Sequence, residues 1–292
     1  MYKNQFIMLL LAVFLVQGCS QKEDFSFVFM TDIHVEEGRN AITGFNQAIA
    51  RVNELDPDFV ITGGDLIMDA LGQTFNRADS LYNIYDSLSQ KIEAPVYNTI
   101  GNHEVFGIYE KGGVLPDNPF YGKEMFKNRV HKETYYSFDF QNWHFMVLDV
   151  IGIKPEERYF GYVDPAQIDW IKSDLAKLDK STPIVISAHI PFVNIMTSAT
   201  EKSADEGIIV TNGLEVLKLF SDYNLKLVLQ GHMHTLEEII IKDIHFITCG
   251  AVSGHWWLGD HQGFEEGFGL FKVSGDDFTW QYIDYGWEVP KQ

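Results

Sequence analysis

Five short segments of the chain carry oxygen- or nitrogen-donating side chains directly after an apolar run. They are Asp32-Ile33-His34, Gly64-Asp65, Gly101-Asn102-His103-Glu104, His189 after Val185-Ile186-Ser187-Ala188, and Gly231-His232-Met233-His234. An apolar run that ends in such a residue reads as a buried strand delivering a side chain at its carboxyl end. Repeated along the chain, this pattern turns one edge of a sheet into a donor cluster. Carboxylates and imidazoles suit zinc, manganese and iron, and no segment contains a thiolate. About seven or eight candidate donors are too many for one tetrahedral ion. They suit two divalent ions that share a carboxylate and clamp the attacking and leaving oxygens of an in-line displacement. The chemistry to expect is hydrolysis of a phosphate ester by a metal-bound hydroxide.

The order and spelling of the segments resemble the calcineurin-like metallophosphoesterase family. Its pattern runs D-x-H, G-D, G-N-H-[DE], a lone His, then G-H-x-H. Every element is present in order from Asp32 to His234, and the resemblance extends over the chain after residue 24. The resemblance implies that Asp32, His34, Asp65 and His234 hold one ion. It implies that Asp65, Asn102, His189 and His232 hold the other, with Asp65 bridging. His103 would be the catalytic histidine that approaches substrate. Singly these residues mean little: Asp32 alone passes for a helix N-cap, and Asp65 alone for a turn residue. One departure narrows the family. Purple acid phosphatases carry a Tyr three residues after the bridging Asp and lack the His of D-x-H. Here position 68 is Met68 and His34 is present, which argues against a tyrosinate-bound ferric site. The implied cofactor is a pair of divalent ions: Mn, Zn or Fe.

The elements that must position these donors alternate. Phe25–Met30, Phe59–Ile61, Val96–Ile100, Trp143–Val150, Pro183–Ser187 and Leu225–Gln230 are strand candidates. Gly44–Leu55 carries Phe45, Ala48, Ile49 and Val52 at helical spacing, and Arg77–Leu88 carries Leu81, Ile84, Tyr85 and Leu88. Asp164-Pro165 opens a helix to about Leu178, with Asp as N-cap and Pro in the first turn. Gly213–Tyr223 is a further helix. Alternation of this kind indicates an α/β fold, with its site at the carboxyl ends of the strands. The family resemblance implies a four-layer αββα sandwich of two mixed sheets flanked by helices. Stretches 109–130 and 194–211 show no period, and both follow a donor segment. Each reads as a substrate-facing lid or a plain surface loop.

The amino terminus has a different character. Lys3 precedes the apolar stretch Phe6–Val16, which ends at Gln17-Gly18-Cys19-Ser20. A basic start and a short apolar core read as a secretory signal over residues 1–18, too short for the roughly 20 residues of a membrane span. Cys19 after Gly18 resembles the lipidation site of bacterial lipoproteins. Lys22-Glu23-Asp24 resembles the surface-export tag of Bacteroidetes lipoproteins. Residues 19–24 then form the lipidated Cys and a linker, and 25–292 a single domain with an aromatic and Gly-rich C-terminal segment. The implied location is the bacterial cell envelope, lipid-anchored, at the outer-membrane surface. Cys249 is left alone in the apolar run Ile244–Val252 and is expected to be a buried thiol without a disulfide.

Hydrophobic content of 46% is ordinary for a globular chain. A net charge of −19 argues against nucleic acid as a general partner. It repels anionic substrates at long range, and two divalent ions would reverse the sign locally. Near the end, Ser253-Gly254-His255-Trp256-Trp257-Leu258-Gly259 resembles the C-terminal segment of some bacterial calcineurin-like phosphoesterases. Trp256 and Trp257 are candidates for an aromatic wall facing the base, sugar or lipid part of a substrate. Packing at the edge of the second sheet is the favoured alternative. His255 and His261 lie outside the motif and are not assigned to metal. Two classes of function follow: a phosphatase or phosphodiesterase, or a catalytically weak, surface-anchored binding protein that retains the fold. With no donor missing and His103 present, the enzyme is expected.

Overall fold

Strand β1 (Phe25–Met30) shows how the layers arise. Phe25, Phe27 and Phe29 pack into one buried cluster, while Val28 and Met30 pack into another. Side chains alternate across a strand, so β1 is covered on both faces and reads as one unbroken apolar run. The computed structural model describes residues 24–154, 158–196 and 206–290. The expected signal segment 1–18, Cys19 and part of the stretch 194–211 lie outside the described residues.

In chain order, β1 is followed by α1 (Ala41–Leu55), β2 (Phe59–Thr62), α2 (Phe75–Ser89), β3 (Val96–Asn98), α3 (Glu124–Arg129), β4 (Tyr136–Phe140) and β5 (Trp143–Val147). Then come β6 (Ile151–Lys154), β7 (Arg158–Gly161), α4 (Pro165–Leu175), β8 (Pro183–Ser187), α5 (Gly213–Lys218), β9 (Asn224–Gln230), β10 (Glu237–Ile241), β11 (Ile244–Thr248), β12 (Gly267–Ser274) and β13 (Asp277–Asp284). The first sheet has the order β13-β12-β1-β2-β3, the second β10-β11-β9-β8-β5-β4. Strands β1, β2 and β3 run parallel, as do β5, β8, β9 and β11. Antiparallel strands β12 and β13 extend the first sheet, and β4 and β10 flank the second, so both sheets are mixed.

Three buried clusters separate four layers. Phe45, Ala48 and Val52 of α1 and Leu81, Tyr82 and Tyr85 of α2 pack on Val28, Met30 and Val60 of the first sheet. Ile168, Ile171 and Leu175 of α4 and Val216 of α5 pack on Met146, Ile184, Ile186 and Val228 of the second. Between the sheets lies an aromatic layer that includes Phe25, Phe27, Phe59, Phe145 and Phe271. The expected αββα sandwich is the observed fold. Helix α4 begins as its sequence predicts: the Asp164 side chain accepts from Gln167 N at 2.8 Å, with Pro165 in the first turn.

Several expectations change in detail. Helix α4 ends at Leu175, short of Leu178, and α5 is six residues long rather than reaching Tyr223. No side chain caps α5 at Asn212, and its last turns unwind towards β9. The aperiodic stretch 109–130 contains a 3-10 turn at Glu110–Gly112 and helix α3. Lys123 ties it to the segment just after β5 through a 2.6 Å ion pair with the buried Asp149. Cys249 is free and buried, as expected.

The inter-sheet layer gives a direct test. Phe27 stacks on Phe59 at 5.2 Å and on Phe271 at 4.7 Å, and meets Phe145 edge-on at 5.6 Å. Phe27→Ala should cost about 3–5 kcal/mol of unfolding free energy in urea titration. A loss below about 1 kcal/mol would show that the sheets do not depend on this layer.

Candidate metal centre

All five donor segments leave their strands at one edge of the sandwich. Asp32 and His34 follow β1, Asp65 follows β2, and Asn102 and His103 follow β3. His189 follows β8, and His232 and His234 follow β9. The chain must bend sharply where each strand stops. Asp32, His34, Asp65, His232 and His234 all adopt positive φ, at 55°, 47°, 53°, 71° and 53°. Such backbone is uncommon outside Gly, is better tolerated by Asp and His, and concentrates at functional sites. Backbone bonds stitch the bends together: His34 N donates to Asp65 O at 2.9 Å, and Gly231 N donates to His189 O at 2.9 Å. Gly101 is required by proximity, because a Cβ there would stand 2.2 Å from Asp65 Oδ1.

The side chains converge in overlapping groups. Asp32, His34 and His234 bring donor atoms within 4.8 Å of one another, as do Asp65, His189 and His232, and also His34, Asp65 and His103. Asp65 Oδ2 is 3.7 Å from His34 Nε2, 3.7 Å from His103 Nε2 and 3.1 Å from His189 Nε2. Asn102 Oδ1 lies 3.1 Å from His189 Nε2, and His232 Nδ1 is 3.3 Å from the same nitrogen. Every residue implied by the family motif is therefore in one cluster. His103 and His232 are half-buried, while the other members are buried.

Outer contacts fix which ring nitrogens face inward. A carbonyl can only accept, so His189 Nδ1–H donates to Gly63 O at 2.8 Å, and His234 Nδ1–H donates to Gly254 O at 2.5 Å. His103 Nδ1–H donates in the same way to Met68 O. In their neutral forms these rings aim a bare Nε2 lone pair at the centre. His234 Nε2 stands 3.0 Å from His34 Nε2 and 3.4 Å from Asp32 Oδ1. Donor atoms gathered this closely beside carboxylates form groups that could hold a metal ion. The donor set of carboxylate, amide oxygen and imidazole fits a divalent ion of the Mn, Fe or Zn kind, and the carbonyl-held imidazoles are the usual outer support of such ligands.

The electrostatics agree. Burial and the neighbouring His103 hold His34 well below the usual histidine range. Burial and His189 push His232 down to about 4. Burial opposes charge on His189, yet the Asp65 and Asp32 carboxylates outweigh it and raise this imidazole to about 9. Against the same opposition Asp32 raises His234. Burial would raise Asp65, but His189 and His103 hold it well below the carboxylate range. Positive charge is thus drawn to the positions beside the two carboxylates.

Comparison with known proteins fits this arrangement. Residues 25–236 match the calcineurin-like phosphoesterases. The chain belongs to that family. It is a metallophosphoesterase. A 3',5'-cyclic-nucleotide phosphodiesterase from Nostoc sp. is 24% identical, over 79% of this chain and 80% of that protein. Purple acid phosphatase 22 from Arabidopsis thaliana is 27% identical, over 76% of this chain and 48% of that longer protein. A dimetal phosphatase from Danio rerio superposes with a TM-score of 0.66 at 14% identity, over 90% of this chain and 96% of the other.

Two features of this family member were not read from the sequence. The first separates the tandem tryptophans. Trp257 is fully buried, its Nε1–H donates to His34 O at 3.0 Å, and a Cβ on Gly44 would stand 2.2 Å from its ring. Trp257 is therefore corrected from a substrate candidate to an anchor beneath the site, packed as the favoured alternative had it but in the α1 cluster on the first sheet rather than at the edge of the second. Trp256 instead lies half-buried beside the donors, with its ring 4.8 Å from that of His234. The second feature is Glu104, the last letter of the third motif. Its buried carboxylate accepts from Gly101 N at 2.7 Å, Leu66 N at 2.8 Å, Asp65 N at 2.9 Å and Ile67 N at 3.2 Å. It thereby locks the Asp65 bend to the Asn102 bend. Burial and the nearby Asp65 push its carboxyl up to about 7, against the pull of those amides.

Replacing Glu104 with Gln turns one acceptor oxygen into a donor that faces amide N–H groups. Glu104→Gln should cost about 2–4 kcal/mol in urea unfolding, with the far-ultraviolet dichroism of the native state retained. An unchanged midpoint would remove Glu104 from its clamping role.

Proposed function

We propose that the chain hydrolyses phosphomonoesters or phosphodiesters at a dinuclear centre. Asp32, His34, Asp65 and His234 hold one divalent ion, and Asp65, Asn102, His189 and His232 hold the second. The observation that carries this reading is Asp65 Oδ2, one oxygen that faces His34 on one side and His189 on the other. The relatives support both ester classes, since one is a phosphodiesterase and another a phosphatase. Such an ion pair supplies Lewis-acid activation of the phosphoryl group and of the attacking water.

The protein's own groups supply the rest. Asp65 is held by His103 N, which donates to its Oδ1 at 2.9 Å, so its other oxygen stays turned to the centre. Asp32 is held by His232 N at 2.9 Å and by the Thr31 hydroxyl at 2.7 Å. His103 opens to solvent with its Nδ1–H committed to Met68 O, leaving Nε2 to face an incoming ester. As imidazolium it would donate the Nε2 proton to the departing oxygen, a role typically worth ~10²–10⁴-fold in rate.

Asp65→Asn weakens the oxygen shared by both ion sites. Elemental analysis of the purified variant should find well under the parent's metal content, with both ions depleted together. Full occupancy with full activity would remove the bridging role.

His103 calls for a different measurement, because its role lies in the leaving group. His103→Ala should slow esters of ordinary alcohols by ~10²-fold or more, and nitrophenyl esters far less, since nitrophenolate leaves unaided. Metal content should stay near that of the parent. Equal loss on both ester types would point to positioning or charge stabilisation, and loss of metal would make His103 a ligand.

A further inference from the structure

On the flank of the centre formed by His34 and His234, three aromatic rings stand together outside the motif. The Trp256 ring lies 6.0 Å from His34 and 4.8 Å from His234. His261 lies 5.7 Å from His234 and 6.2 Å from Trp256. His255 closes the group, 5.1 Å from Trp256 and 5.3 Å from His261. We infer that Trp256, edged by His255 and His261, is a stacking platform for a nucleobase, so that the ester cleaved beside it is a nucleotide. This rests on the hydrolase reading of the neighbouring centre.

The platform is held from below and behind. Trp256 and Trp257 take positive φ of 48° and 67°, a costly conformation for bulky residues. It turns adjacent indoles in opposite senses, one into the core and one to the rim. The buried Trp257 fixes the turn by donating from its backbone N to Ser253 O at 2.7 Å and from Nε1 to His34 O. His255 N donates to Gly259 O at 2.8 Å, and His261 pairs with Phe264 in both directions at 2.9 Å. A surface arranged before the ligand arrives loses little freedom on binding. Among the described residues the Trp256 indole N–H has no hydrogen-bond partner, so it remains available to a base edge.

Charge selects the class of planar group. An aromatic cluster can also hold an organic cation. Here the Arg39 guanidinium bonds the Trp256 carbonyl at 3.4 Å, and the neighbouring Asp and His donors form groups that could hold a metal ion. Arg39 is itself paired with Glu36 at 3.4 Å, so the repulsion a cationic headgroup would meet comes from the ions held at the neighbouring centre under the hydrolase reading. A neutral base carried on a phosphate would meet none, and stacking on an aromatic face accepts any base.

The test compares adenosine 5'-phosphate with 1-O-methyl ribofuranoside 5-phosphate on the metal-loaded protein, since the second carries a methoxy group where the first carries the base. The ratio of their kcat/KM values should favour the nucleotide roughly 5- to 150-fold, the range that one base–aromatic stack supports. Trp256→Ala should bring the ratio towards one, and Trp256→Phe should leave it between. Calorimetric titration with adenosine, which carries no ester, should show binding to the parent and weakening by a similar factor in Trp256→Ala. Adenosine binding through Trp256 with neither monoester cleaved, and no cleavage of bis(nitrophenyl) phosphate, would uphold the platform and overturn the hydrolase reading. Equal turnover of both esters by the parent, with no adenosine binding, would overturn the platform and leave the hydrolase standing. Selective loss of phosphocholine turnover in Trp256→Ala, with the nucleotide ratio unmoved, would overturn it in favour of a cation site.

Discussion

Three carboxylates, Asp32, Asp65 and Glu104, are buried within one cluster of strand ends. Removing an ionised carboxylate from water costs several kcal/mol unless partners replace the lost solvation, and the architecture of this edge follows from that requirement. Glu104 is answered by four backbone amides, which only a tight juxtaposition of two bends can supply. Asp32 is answered by an amide, a hydroxyl and His234. Asp65 is answered by one amide on one oxygen and imidazoles on the other. The compensation is thus graded. The carboxylate met by amides alone is structural, while those met by imidazoles face the centre and can share a cation.

The layers exist to bring those bends together. Strands β1, β2, β5 and β8 are covered on both faces, so the carboxyl end is the first place where each can turn polar. The aromatic layer between the sheets sets their separation, and the donors of β8 and β9 then meet those of β1, β2 and β3 across the gap. Small residues let the loops close. The space that a Cβ would take at Gly101 is filled by the Asp65 and Glu104 carboxylates.

Much of this was legible because the signal is local. Strands β1 and β8 have the bounds their apolar runs predict, and α4 starts at its Asp-Pro cap. The motif residues could be read because each lies within a few residues of the carboxyl end of a strand. What could not be read depends on partners distant in sequence. Strands β12 and β13 add to the first sheet because β12 pairs with β1, with Phe271 opposite Phe27, a register no local pattern announces. The clamp at Glu104 depends on amides of residues 65–67, nearly forty positions earlier. Trp256 and Trp257 are the same residue type side by side, and only the backbone turn between them decides which is core and which is rim.

The match to the family ends at residue 236, yet the segment beyond it completes the centre. Gly254 O orients His234, the Ser253 hydroxyl donates to Asp32 O, and Trp257 donates to His34 O. The last of these bonds spans 223 residues of chain. The first of the five motifs is therefore fastened by a segment that emerges after all of them. A nascent chain can stack its early strands and helices, but its Asp32–His34 bend stays without the Ser253 and Trp257 ties until residues 253–257 arrive. Assembly of this half of the centre is in that sense a late event, coupled to synthesis of the segment beyond the family match rather than to folding of the motif that marks it.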